Sequence, residues 1–183
     1  MTRGCLVAVV GPSGVGKDTV IQGIAAAAPS LSIVRRTITR QASSGGEEHD
    51  AISQAAFERS AACGAFCLHW QAHGLRYGIP GRVAGDVQRG RICVANLSRS
   101  VLETAATVFP AIFVLHVTAS PEVLAARLAA RGRESETEIN SRLARSTLPL
   151  ADSLPIANIS NDRTPKEAIA AALSALRESG LIP

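Results

Sequence analysis

The chain predicts an α/β fold in three layers, a parallel central sheet between two layers of helices, on three observations. Short apolar runs alternate with helix-period segments from one end to the other. A glycine-rich turn joins the first of those runs directly to the first helical segment. The 183 residues suffice for one domain, 1–183, whose core needs no covalent staples.

The elements follow in order. Cys5 to Val10 is a continuous apolar run, the mark of a strand buried on both faces, and Thr19 to Ala26 continues helically after the glycine turn. Ile33 to Arg36 reads as a second strand, and Ser53 caps a short helix that runs to Cys63. Phe66 to Trp70 is strand-like, Gly81 to Arg89 helical, and Arg91 to Ala95 a further buried strand. A helix over Ser98 to Phe109 and a strand over Ile112 to Val117 come next. Ser120 then caps a helix over Pro121 to Arg131, with proline in its first turn. Glu136 to Ser146 continues helically, and Ile156 to Ile159 is a last short strand. Thr164-Pro165-Lys166-Glu167 is a capping box that opens a helix ending near Gly180. In such a sheet the ligand sits beyond the carboxyl ends of the strands, so the post-strand loops carry the chemistry.

The first of those loops is the most informative. Gly11-Pro12-Ser13-Gly14-Val15-Gly16-Lys17-Asp18-Thr19 has the glycines that let successive N–H groups curl toward one point. The helix behind them offers its positive end, and Lys17 reaches the outer phosphates of a nucleotide. The motif therefore predicts ATP. Its last letter departs from the usual Ser or Thr that holds magnesium, since Asp18 stands there and Thr19 follows. Either Asp18 or Thr19 is expected to hold Mg2+, and the strand ending at Asn96 lacks the terminal Asp that commonly helps.

Composition narrows the partners. The net charge is +4, and with Lys17 and Lys166 the only lysines, arginine supplies 17 of the 19 basic residues, which suits bidentate phosphate recognition. Aromatics make up 3% and no basic block alternates with them, so nucleic acid is not expected as a partner. Ala111 to Val117 and the other apolar runs are too short to span a bilayer, and no signal-like apolar region opens the chain. A cytoplasmic protein without a membrane partner is the expectation. Cys5, Cys63, Cys67 and Cys93 read as small buried hydrophobes rather than as disulfide partners. Zinc at Cys63, Cys67, His69 and His73 is set aside because the two pairs are too close together.

Three further segments carry groups suited to oxyanions. Arg36-Thr37-Ile38-Thr39-Arg40 places guanidiniums and hydroxyls at a strand end, with Arg36, Ile38 and Arg40 sharing one side of an extended chain. His69 to Gly78 holds the only Trp and the only Tyr; Trp70 serves either as core or as a stacking platform, and His73 and Tyr77, each beside a glycine, read as loop residues. Around Gly132, Arg127 and Arg131 are spaced i, i+4, Arg142 and Arg145 i, i+3, and Arg133 lies between the two helices. These five arginines suit a lid over a transferring phosphoryl group, although Glu138 and Arg142 are also spaced as a surface ion pair. The polar segments 41–50 and 132–138 are expected to close over substrate.

Gly11 to Lys17, Thr37-Ile38-Thr39-Arg40, Gly46-Glu47, Tyr77-Gly78, and Arg127-Leu128 through Arg131-Gly132 to Arg142-Leu143 together resemble the guanylate kinase superfamily over nearly the whole chain. The resemblance implies a P-loop NTPase fold of nucleoside monophosphate kinase type, with a small substrate-binding insert at about 36–80 and a lid at about 131–145. Guanylate kinases carry a second arginine where this chain has Ser43, and acidic residues where it has Asn96. Gly16-Lys17-Asp18, Ile38-Thr39-Arg40 with Glu48-His49, Trp70 to Leu75, Asn96-Leu97-Ser98-Arg99, and Arg131-Gly132-Arg133-Glu134 with Glu138 to Leu143 are similar instead to the ribose 1,5-bisphosphate phosphokinases of phosphonate degradation.

That likeness implies ATP plus ribose 1,5-bisphosphate giving ADP plus 5-phosphoribosyl 1-diphosphate. It implies roles as well: the loop, Arg127 and Arg145 for the nucleotide; Arg36, Arg40, His73, Tyr77, Asn96, Ser98 and Arg99 for the phosphorylated sugar; Lys17, Arg131, Arg133 and Arg142 for catalysis. The competing readings are a guanylate kinase making GDP from GMP, a catalytically silent module on the same fold, and a kinase acting on a hydroxyl with His73 as base. A homodimer is the assembly considered.

Overall fold

The computed structural model describes residues 4–40, 48–131 and 153–183. Their centre is a five-stranded parallel sheet of β1 (Cys5–Val10), β2 (Ser32–Ile33), β7 (Ile92–Asn96), β8 (Ile112–Thr118) and β9 (Ile156–Ser160), in the order β2-β7-β1-β8-β9. Every residue of β1 is buried, which is why that strand reads as unbroken apolar sequence. It is flanked on one side by β7, with Val7 opposite Val94, and on the other by β8, with Val9 opposite Leu115.

Alternation along these strands supplies two cores. Val7, Val9, Val94, Leu115 and Val117 pack under α1 (Lys17–Ala27) and the C-terminal helix α6 (Pro165–Glu178). Leu6, Ala8, Val10, Ala95 and Val114 pack on the other face with residues of α3 (Arg82–Gln88) and α4 (Leu102–Val108). The capping box of α6 forms as its sequence predicts, the Thr164 side chain accepting from the Glu167 N–H and the Glu167 carboxylate from the Thr164 N–H. Cys5 and Cys93 are buried, and burial pushes the Cys5 thiol up to about 11. Cys63 is exposed, contrary to expectation, because it caps α2 (Gln54–Ala62) on the outside of the molecule.

The described residues between 36 and 80 include a second sheet of four strands, ordered β4 (His49–Ala51), β3 (Arg36–Ile38), β6 (Leu75–Pro80) and β5 (Phe66–Ala72). The expected strand over Ile33 to Arg36 is thus two strands in two sheets. Ile33 pairs with Val94 in the parallel sheet, and after Val34 and Arg35 the chain enters β3 beside β6. Another expectation also fails: Tyr77 lies in a strand, not a loop. His73 and Gly74, both at positive φ (51° and 72°), make the tight turn between β5 and β6, so Trp70 comes to lie opposite Tyr77. The helix predicted over Ser98 to Phe109 begins as a 3-10 turn, Arg99–Val101, before α4. The helix expected at Glu136 to Ser146, with the Glu138–Arg142 spacing, falls outside the described residues. No helix among the described residues is long and apolar enough to cross a membrane.

Candidate active site

The loop at 11–16 follows β1 at the carboxyl edge of the sheet and opens α1. Its glycines are required by geometry. Gly11, Gly14 and Gly16 have φ of 152°, 83° and 94°, and a Cβ at Gly11 would lie 2.2 Å from the Val117 carbonyl oxygen. A glycine-rich bend of this kind ahead of the positive end of a helix is an arrangement that fits an anionic phosphate chain. Lys17 lies across it, Nζ donating to the carbonyl oxygens of Gly11 (2.8 Å) and Pro12 (3.0 Å).

Asp18 follows in the first turn of α1, and one carboxylate oxygen accepts from Nδ2 of Asn96 at 3.0 Å, joining the loop helix to the end of β7. Both residues line a cleft of about 440 Å³ whose wall continues along Ile21, Gln22 and Ala25 of α1, Ile33 of β2, Val34 and Arg35 after it, Glu48, and Val94 of β7. Thr19 is a helical step of about 100° further round and is exposed. Of the two metal candidates, Asp18 is the one on the cleft. A carboxylate held by an amide at the mouth of a phosphate loop is a donor set that suits a hard divalent cation.

Across the second sheet a cation and two aromatic rings are stacked. The Trp70 and Tyr77 rings lie 5.3 Å apart at 10°, and the Arg36 guanidinium sits 5.0 Å from the Tyr77 centroid and 5.8 Å from that of Trp70. Arg36 is only 8% exposed, so the pair of rings supports a charge largely removed from water. The Nε of Arg40 is buried and has no partner, while its carbonyl oxygen meets His49 Nε2 at 3.2 Å. At the edge of that sheet, Arg35 pairs with Asp50 of β4 at 2.8 Å and donates to the His49 carbonyl.

Among curated relatives, the ribose 1,5-bisphosphate phosphokinase of Ruegeria sp. (strain TM1040) is 49% identical over 152 residues, covering 83% of this chain and 80% of that one. The enzyme of the same name from Agrobacterium fabrum is 41% identical over 177 residues, 95% and 97% of the two chains. This chain belongs to the ribose 1,5-bisphosphate phosphokinase family. No protein-family model matches it. Among solved structures, guanylate kinase from Anaplasma phagocytophilum aligns over 98% of this chain and 87% of its own with a TM-score of 0.66 at 17% identity, which establishes the fold as that of guanylate kinase-like P-loop kinases.

In this phosphokinase family member the remaining sequence candidates are scattered more widely. Arg127, on α5 (Pro121–Arg131), donates to the carbonyl oxygens of Asn161 (2.9 Å) and Val15 (3.5 Å), bonding backbone at the base of the loop. Ser98 caps the 3-10 turn by accepting from the Ser100 N–H, and burial holds the Arg99 guanidinium below its ordinary pKa. His73 is exposed at the β5–β6 turn. Arg131 ends α5, and its side chain, with Arg133, Arg142 and Arg145, lies outside the described residues, as do Ser43 and most of the segment 41–50.

Sequence reasoning missed Gln22, Arg35 and Asn161. Gln22 was visible as the i+4 neighbour of Asp18 on one helix face. Asn161 follows the last strand and had no local signal, because its partner in the loop is 146 residues away.

Proposed function

We propose that the chain transfers the terminal phosphoryl group of ATP to the 1-phosphate of ribose 1,5-bisphosphate, producing ADP and 5-phosphoribosyl 1-diphosphate. The observation that carries the reading is the joint at Asp18 and Asn96, where the first turn of the helix behind the phosphate loop borders a cleft of about 440 Å³. An oxygen of the acceptor phosphate forms the new bond to the γ-phosphorus as the bond from that phosphorus to the β,γ-bridging oxygen breaks. The acceptor oxygen is already ionised at neutral pH, so no base has to remove a proton, and positioning and charge neutralisation suffice.

The loop amides and Lys17 hold the nucleotide phosphates, Lys17 exchanging its bonds to Gly11 and Pro12 for bonds to anionic oxygen. Asp18, steadied by Asn96, holds a magnesium ion. That ion, when bound, spreads the negative charge that would keep two polyanions apart. Arg36, Arg40, His73 and Tyr77 bind the sugar phosphates, with Ser98 and Arg99 at the border of the acceptor. Arg131, Arg133, Arg142 and Arg145 close over the reacting group and exclude water.

The test is a coupled assay of ADP formation with ribose 1,5-bisphosphate, GMP and a hydroxyl acceptor such as gluconate supplied separately. Turnover with the bisphosphate alone, and recovery of the diphosphate product by phosphorus NMR, is the expected outcome. Preference for GMP would replace this reading with guanylate kinase activity. Nucleotide binding without turnover on any acceptor would make the chain a silent module.

A further inference from the structure

The peptide between Val15 and Gly16 is held from outside the loop. Asn161, the residue after β9, is 2% exposed, and its Nδ2 donates to the Val15 carbonyl oxygen at 2.7 Å. Arg127 approaches the same oxygen at 3.5 Å and bonds the Asn161 carbonyl at 2.9 Å. The Asn161 N–H in turn donates to Thr118 at the end of β8, so the side chain is mounted on two strands of the central sheet. In a trans peptide the C=O and the following N–H point in opposite directions. Fixing the Val15 oxygen on the side of the sheet therefore turns the Gly16 N–H to the other side, among the loop's amides.

Gly16 itself fits this reading. A Cβ there would lie 2.6 Å from Asn161 Nδ2, so the asparagine occupies the space a side chain would need, and the φ of 94° suits glycine alone. The arrangement also carries a cost. The Oδ1 of Asn161 is buried without a partner, a condition that destabilises a fold and that an apolar side chain of the same shape would avoid.

We infer that Asn161 is a positioning residue for the phosphate loop: its amide pins the Val15–Gly16 peptide so that the Gly16 N–H already faces the nucleotide phosphates before they arrive. The inference rests on the reading of residues 11–17 as a nucleotide site, but not on the identity of the acceptor. The energetic logic is preorganisation, since a donor fixed in advance needs no reorientation when charge appears.

Asn161→Leu tests it, because leucine keeps the branched shape beside Gly16 and removes only the polar atoms. Binding of ATP to the free protein is measured by calorimetry alongside thermal unfolding. Wild-type protein must bind ATP; if it does not, the nucleotide reading itself fails. The expected result is an affinity lowered about tenfold with a melting temperature within a few degrees of wild type, since the orphan Asn161 acceptor disappears while the Val15 carbonyl loses its 2.7 Å donor, two changes of opposite sign. In turnover, KM for ATP rises and KM for the acceptor stays put. Unchanged ATP affinity in the variant overturns the inference, as does a fall in melting temperature with both KM values rising together. Should the leucine variant fail to fold, Asn161→Ser, too short to reach Val15, must show the same selective loss of ATP affinity, and its absence overturns the inference equally.

Discussion

The two halves of the proposed site are built by different means. At the phosphate loop the backbone does the work: positive-φ glycines, aligned amides and a helix end, with Lys17 and Asn161 disposed around them. In the second sheet the side chains do it, through Arg36 stacked on Tyr77 and Trp70 and a buried Arg40 Nε. A backbone site recognises any polyphosphate and is rigid because it grows from a strand buried on both faces. A side-chain site recognises one acceptor and depends on register across an antiparallel hairpin. In the proposed reading the common reagent would thus be read by main chain and the particular one by side chains.

The largest effect expected on this contrast is at Lys17. Lys17→Ala removes the one ammonium bonded to the loop's own carbonyls, and turnover should fall by about 10³-fold, as for loss of a preorganised charge partner. Unfolding by calorimetry should remain near wild type, because the side chain is only partly buried and its bonds are to loop carbonyls. A variant retaining a tenth of the rate would break the assignment of the loop as the catalytic half.

Asp18 sits where the halves meet. Asp18→Ala should raise the magnesium concentration needed for half-maximal rate at least about tenfold, comparable to what loss of a metal-site contact costs elsewhere. Measuring the same titration in Thr19→Ala separates the two candidates, because Thr19 is exposed and should behave as wild type. An unshifted midpoint in Asp18→Ala would move the metal off this residue.

How far the sequence disclosed all this follows the same division. The loop and its flanking strand and helix were legible because every determinant lies within fifteen residues: apolar run, glycines, lysine. The second sheet was legible only in part: Phe66 to Trp70 reads as a strand and lies in β5, and His73 reads as a loop residue and lies in the turn after it, but the other strands were not seen, for physical reasons that particular residues display. Gly78 and Pro80 break the strand pattern of β6, so that although His73 beside Gly74 reads as a loop, the strand returning from it, with Tyr77 inside, does not show in the sequence. The single strand expected at Ile33 to Arg36 failed because Val34 and Arg35 carry the chain from one sheet to another, and periodicity does not record which sheet a residue joins. Asn161 was silent for a related reason, since the meaning of a residue whose partner is far along the chain exists only in the fold.

A glycine in the second sheet sharpens the contrast from the other side. Gly78 is not at positive φ; it is small because Phe66 lies over it, and a Cβ would come within 2.7 Å of that ring. Phe66 in turn stacks on Phe57 of α2 at 4.7 Å. Gly78→Ala should therefore destabilise the protein by about 1–3 kcal/mol through overpacking. It should raise KM for the acceptor while leaving ATP affinity unchanged, and a matched loss of ATP affinity would mean that the two halves are not energetically separate.

The smallest effect expected is the most specific. Arg36→Lys keeps the charge and gives up the flat guanidinium that matches the Tyr77 face, a difference of about 0.5–1 kcal/mol in stacking energy at such a site. If Arg36 serves the acceptor by being held against the rings, KM for the acceptor should rise severalfold, with ATP affinity and kcat close to wild type. Tyr77→Phe, which preserves the face and removes only the hydroxyl, should leave the stack intact, so any change in KM there reports a contact made by the hydroxyl itself. An Arg36→Lys enzyme indistinguishable from wild type would show that the planar stack is packing alone, and specificity for the acceptor would then have to reside in Arg40 and the cleft beside Asn96.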